Sequence, residues 1–196
     1  MFTNKARRGR PDFFLSAKTV APVPARHPAL REALLHASLD PRIRSIAHIT
    51  TAVVAAQTVV IDAVVLARDD GRFFLDVVPA RRLRDLDDEG LLQIALRERG
   101  LEPFVVTVED LRAEPRCSNV RLVWSYNARA VPLDLRLRIL QILVDDGPLP
   151  LGRLLQGVSA DRDPSAAVMS LACSDLLEID LTSRPLGPST LVRSRT

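Results

Sequence analysis

"TVVIDAVVLARDDGRFFLDVVPARR", residues 58–82, carries the clearest structural signal in the chain. Residues 58–67 form a β-branched apolar run broken by one acid, Asp62, which reads as a strand. Asp70-Gly71 supplies the positive-φ position that a tight hairpin turn needs. Residues 73–79, "FFLDVVP", then read as the returning strand, closed by Pro79, which has no N–H to give to a ladder. Side chains alternate along a strand, so Phe74, Asp76 and Val78 share one face. Asp62 is the only carboxylate on the partner strand. Two carboxylates on adjacent strands can share a hard divalent cation such as Mg²⁺. The simpler alternative is that both are strand-end or solvent-facing acids.

Outward from the hairpin, the chain alternates helix and strand. Residues 1–27 hold four basic side chains in the first ten positions and three prolines, and read as a basic extended arm. From Pro28, "PALREALLHASLD" places Leu30, Leu34 and Leu35 on one helical face and stops at Asp40-Pro41. A strand is expected over Ile43–Thr50, with helix possible over Ala52–Gln57. "LDDEGLLQIALRERG" is a helix ending at Gly100, "EPFVVTVED" a strand, "VEDLRAEPR" the start of a short helix, and "SNVRLVWSY" an element of undecided type. This makes residues 28–128 an α/β unit. After "NARAVP" the pattern changes. Residues 132–196 read as three helices followed by two short strands, with Asp163 capping the third helix before Pro164. That order suits a winged-helix domain, a variant of the helix-turn-helix.

Composition narrows the classes. The chain has 196 residues, 47% of them hydrophobic but only 4% aromatic, so its cores must be aliphatic. No apolar run reaches membrane-spanning length and no signal-peptide core follows the basic start, which points to a cytoplasmic protein without membrane contact. Cys117 and Cys173 lack CxxC spacing and read as reduced thiols. His27, His36 and His48 make no H-x-x-H pattern, so zinc is not expected. No cofactor fingerprint is present. The charge is split: residues 1–26 carry a net +5 and residues 183–196 a net +3, leaving −5 between them. Basic ends can hold a phosphate backbone without reading its sequence. The candidate contacts are Arg7, Arg8, Arg10, Arg81, Arg82, Arg162, Arg184, Arg193 and Arg195. The third helix of the C-terminal unit exposes Ser165, Ser170 and Ser174 on this reading and has no side chain suited to base edges, which favours phosphate contacts or protein docking.

The order of "LREALLHASLDPRI", "VVIDAVVLARDDGRFFLDVVPAR", "EDLRAEPRCSNVRLVW" and "LEIDL…PLGPST" resembles the TnsA-type endonuclease subunit of heteromeric transposases, over about residues 28–193. The resemblance implies a restriction-endonuclease-like mixed sheet flanked by helices, followed by a winged-helix domain. It implies DNA and a transposase as partners, and Mg²⁺ as cofactor if the site is active. Carried over, Glu32 matches the helix acid, Asp62 the metal-binding aspartate and Asp76 the second acid. Such a site should gather all three, and their repulsion should raise at least one pKa unless a metal or Arg81 compensates.

One departure bears on the chemistry. The family pattern has lysine two positions after Asp76, and here Val78 stands there. Removing an electrostatic group from such a site typically costs about 10²–10³ in rate. Arg81, past Pro79, can turn back toward Asp76, but a guanidinium stays protonated and is a poor base. Three readings follow: a catalytically weakened nuclease-fold protein that binds DNA or a partner, an active metal-dependent endonuclease with a relocated basic residue, and a winged-helix regulator.

Overall fold

A computed structural model describes residues 13–54, 57–158 and 163–195. Its centre is a four-stranded mixed sheet. Strands β3 (Ile43–Val54) and β4 (Gln57–Arg68) form a long antiparallel pair, and β5 (Gly71–Val77) returns against β4 through the predicted turn. Gly71 has φ +149°, a conformation that residues with a Cβ rarely adopt. Strand β6 (Glu102–Val106) runs parallel to β5 after the crossover helix α2 (Leu86–Glu98), which gives the order β3-β4-β5-β6. Of the alternative helix over residues 52–57, residues 52–54 and 57 are strand, and residues 55–56 lie outside the described residues. Residues 51–54 alternate exposed and buried, and Ala52 and Val54 pack under α2, so a period of two prevails over alanine's helix propensity.

Helix α1 (Pro28–Leu39) covers one face of the sheet. His27 caps it, its Nδ1 accepting from the Ala29 amide, and Pro28 occupies the first turn, where no N–H is needed. Leu34 packs there with Ile46, Leu66, Leu75 and Val77, while Leu92, Ala95 and Leu96 of α2 pack with Ile61, Ala63 and Val65 on the other face. Two short helices follow β6: α3 (Val108–Arg112), started by a reciprocal Thr107–Asp110 cap, and α4 (Arg116–Trp124), which resolves the undecided segment.

Within the span expected to be an extended arm, residues 13–27 are built into the fold. Strands β1 (Phe13–Phe14) and β2 (Val23–Pro24) pair, Phe14 stacks on Trp124 with ring centroids 5.4 Å apart, and Ile46 donates its amide to the Lys18 carbonyl. Burial of Phe14 and Val23 outweighs the low strand propensity of this proline-rich stretch. Arg7, Arg8 and Arg10 lie outside the described residues.

The C-terminal half contains α5 (Leu133–Asp145), β7 (Leu149–Pro150), α6 (Leu151–Gly157), α7 (Pro164–Cys173), β8 (Leu177–Ile179) and β9 (Leu191–Ser194). Its sheet has three strands, not two, in the order β7-β9-β8. Ile139, Leu154, Val168 and Val192 centre its core, and Val120 and Val123 of α4 belong to that same core. The last helix of the first half is therefore shared by the second. The side-chain amide of Asn119 adds a polar tie, donating to the carbonyls of Leu181 and Arg184 while its oxygen accepts from the Leu186 amide. Lys18, only 4% exposed, donates to the Asp40 carbonyl at 2.6 Å and lies 3.4 Å from Asp175, a residue it shares with Arg195. Burial holds the Lys18 pKa below its ordinary value. Among the described residues no helix is long and apolar enough to cross a membrane.

Candidate functional site

The β4–β5 ladder stops at Val65–Phe74. Beyond that rung β4 stays with β3 and β5 stays with β6, and a cavity of about 490 Å³ opens where the two strands part. Asp62 and Asp76 both line it. A bulge prepares Asp62. Ile49 pairs with Ala63 and Thr51 with Val60, so Ile61 and Asp62 together oppose Thr50, and Asp62 takes φ +42°. Bulges of this kind re-aim a side chain. His48, opposite Val64 on β3, meets the carboxylate with Nε2 2.7 Å from Asp62 Oδ1, and Arg82 pairs with its other oxygen. Burial alone would raise the Asp62 pKa. The His48 hydrogen bond and the Arg82 charge overcome it and hold the carboxyl below its ordinary value, so repulsion between acids does not govern this group.

Asp76 is held by a two-pronged bond: Arg81 Nε donates to Oδ1 at 2.8 Å and its terminal nitrogen donates to Oδ2 at 2.6 Å. The guanidinium does turn back past Pro79. Val78 does not sit on the strand. β5 ends at Val77, and Val78–Ala80 form a single 3₁₀ turn. The shared strand face expected for Phe74, Asp76 and Val78 therefore stops at Asp76.

Glu32 is elsewhere. Leu30 of α1 lines the cavity, and two residues along a helix is about 200° of rotation, which turns Glu32 away. Glu32 instead accepts from Arg121 Nε of α4 at 2.8 Å and faces His36 and Cys117. Among the described residues no three metal-ligating side chains that include Asp62 or Asp76 come within 4.8 Å of one another. The donor set does not fit the three-acid Mg²⁺ site of the nuclease pattern, because Glu32 lies apart from the two acids that line the cavity.

Arginines outnumber acids by one in the cavity. Arg26, Arg81, Arg82 and Arg84 line it against Asp62, Asp76 and Glu89. Sequence reasoning missed His48 and Arg26. The alternation of Ile46 and His48 put the histidine on a definite strand face, but its partner depends on register and on the bulge.

The other expected phosphate contacts divide. Arg184 is exposed. Arg193 pairs with Glu178, its side chain 56% exposed. Arg195 is sealed in the seam between the two halves, donating to the carbonyls of Pro41 and Ile43 at 2.8 and 3.2 Å and lying 3.3 Å from both Asp175 and Glu178. It cannot meet a phosphate without dismantling that seam. Arg162 lies outside the described residues. Helix α7 is buried from Ala167 to Cys173, and Ser170, expected to be exposed, is 2% exposed and donates to the Arg129 carbonyl at 2.7 Å. An apolar helix packed on several sides has no free face for a groove. No protein-family model and no curated protein matches the chain.

Proposed function

We propose that this protein is a DNA-associated protein with a nuclease-like α/β half and a winged-helix C-terminal half, whose cavity binds phosphate and does not cleave it. The observation that carries this reading is the pairing of both cavity carboxylates with arginine: Asp76 with Arg81, and Asp62 with Arg82. Each guanidinium is half-exposed and keeps N–H groups beyond those its carboxylate holds, which can donate to phosphate oxygens, but it cannot accept a proton from water. The absence of lysine at position 78, and the place of Val78 in a turn, support the same conclusion. The helix and strand order of the C-terminal half, α5-β7-α6-α7-β8-β9 with sheet order β7-β9-β8, supports the winged-helix assignment. Because α7 is buried, this half does not read bases through that helix. It acts through phosphate contacts or by docking a protein partner, a transposase in the TnsA-type reading.

The test has two parts. Binding to a short duplex, followed by fluorescence anisotropy over a range of salt, should weaken steeply as salt rises. Arg81→Ala with Arg82→Ala should flatten the slope of log K against log salt by about 0.9 for each phosphate that is no longer neutralised. Plasmid nicking with Mg²⁺ or Mn²⁺ should stay at background for the wild type and for Asp76→Ala. Salt-insensitive binding refutes the phosphate site. Robust nicking abolished by Asp76→Ala establishes instead an active endonuclease in which an arginine has taken over the missing role.

A further inference from the structure

Away from the cavity, α1 and α4 bring together three side chains of different chemistry. Glu32 and His36 lie one turn apart on α1, and Cys117 faces them from α4. A carboxylate oxygen, an imidazole nitrogen and the thiol sulfur all lie within 4.8 Å of one another. His36 Nε2 is 3.9 Å from Glu32 Oε1, too far for a hydrogen bond, and it has no hydrogen-bond partner. The His36 side chain is only 8% exposed and Cys117 is 4% exposed. A buried polar atom without a partner costs about 1–3 kcal/mol, so its placement calls for an explanation.

We propose that Glu32, His36 and Cys117 form a binding site for a borderline-soft divalent transition metal, with zinc as the reference ion. One sulfur, one nitrogen and one oxygen make a donor set suited to zinc and not to magnesium or calcium, which take oxygen alone. Three protein ligands leave a fourth tetrahedral position for water. Adjacent donors around such an ion lie about 3.5 Å apart, so the cluster closes by roughly 1 Å through the side-chain torsions of Glu32 and Cys117. His36 offers a ring nitrogen that no protein group engages, on the side that faces Glu32 and Cys117. Arg121, donating to Glu32, provides the outer hydrogen bond that fixes a ligating carboxylate. Metal, thiolate and carboxylate sum to zero charge, so the neighbouring arginines are not repelled. The isolated histidines in the sequence concealed this, because two ligands are an i, i+4 pair of unlike residues and the third is 81 positions beyond His36.

The experiment is a Co²⁺ titration of the full chain after chelation, read by absorption. One equivalent should bind with a thiolate-to-cobalt charge-transfer band and the visible bands of a tetrahedral ion, and zinc should displace it. Cys117→Ser should abolish the charge-transfer band. Cys173→Ser should keep it, since that thiol is buried against the Val123 carbonyl with its pKa pushed up to about 12. Because Cys117 is buried, Glu32→Gln serves as a second variant that leaves the core untouched, and it should weaken Co²⁺ binding by about tenfold or more. No charge-transfer band in the wild type, a band that survives Cys117→Ser, or unchanged affinity in Glu32→Gln overturns the assignment.

Discussion

Replacing Asn119 with alanine should weaken the whole protein, not one half of it. The side chain is 3% exposed and makes three hydrogen bonds, at 3.0 Å to the Leu181 carbonyl, 2.9 Å to the Arg184 carbonyl and 3.0 Å from the Leu186 amide. Arg184 is exposed and Leu186 half-buried, so water can reach their freed groups, and each of these two bonds should cost about 1 kcal/mol. Leu181 is buried, and its orphaned carbonyl should cost about 1–3 kcal/mol. The expected loss is about 3–5 kcal/mol, and the fall in Tm is on the order of 10 °C for a chain of this size. Urea unfolding followed by circular dichroism measures it. Asn119→Asp should be worse at neutral pH, because a carboxylate would then face two carbonyls. Such a buried acid has a folded-state pKa above its unfolded value, so the added penalty should be small below about pH 4 and grow as the pH rises. A loss under about 1 kcal/mol in Asn119→Ala, or a variant in which only one of two separate transitions moves, refutes the reasoning that Asn119 and α4 join the halves into one cooperative unit.

Two further outcomes follow from the charge network. Arg195→Ala should cost about 3–5 kcal/mol in denaturant unfolding, since it strips a largely buried group from two carbonyls and two carboxylates, whereas Arg193→Ala should cost about 1 kcal/mol or less; equal effects would contradict the assignment of Arg195 to the seam. Asp180 is held down to about 2 by hydrogen bonds from Ser183 and Thr182, so its contribution is fully present above the ordinary value of 3.8 and is lost as the pH falls from there toward 2; Asp180→Asn should flatten the stability profile in that window, as read by thermal melts in acid.

The hairpin of residues 58–82 was legible because its signals agree: apolar β-branched runs, an Asp-Gly turn and a closing proline. Helices α1, α2 and α5 declared themselves by period and punctuation. The continuation of β3 through Ala52 did not, since alanine and valine satisfy helix and strand alike until a covering helix selects the period of two. Strands β1 and β2 are two residues each and are held by the burial of Phe14 and Val23, which no local pattern reveals. At the site, the residue types were visible and their partners were not. Asp62 meets His48 only because a bulge shifts the register, and Glu32 points away because Leu30 claims the cavity side of α1. The burial of α7 was likewise set by packing against α4 and α5, distant in sequence.

The sharing of α4 between two cores bears on how the chain is made. When residues up to 128 have left the ribosome, the sheet can pair, yet Val120 and Val123 still lack the core of α5–α7 that buries them. A nascent first half therefore carries an apolar helix face that must be shielded, by a chaperone or by the ribosome surface, until its cover arrives. A further tie comes later still. Arg195 reaches back to the carbonyls of Pro41 and Ile43, so this seam closes only after residue 195 has left the ribosome.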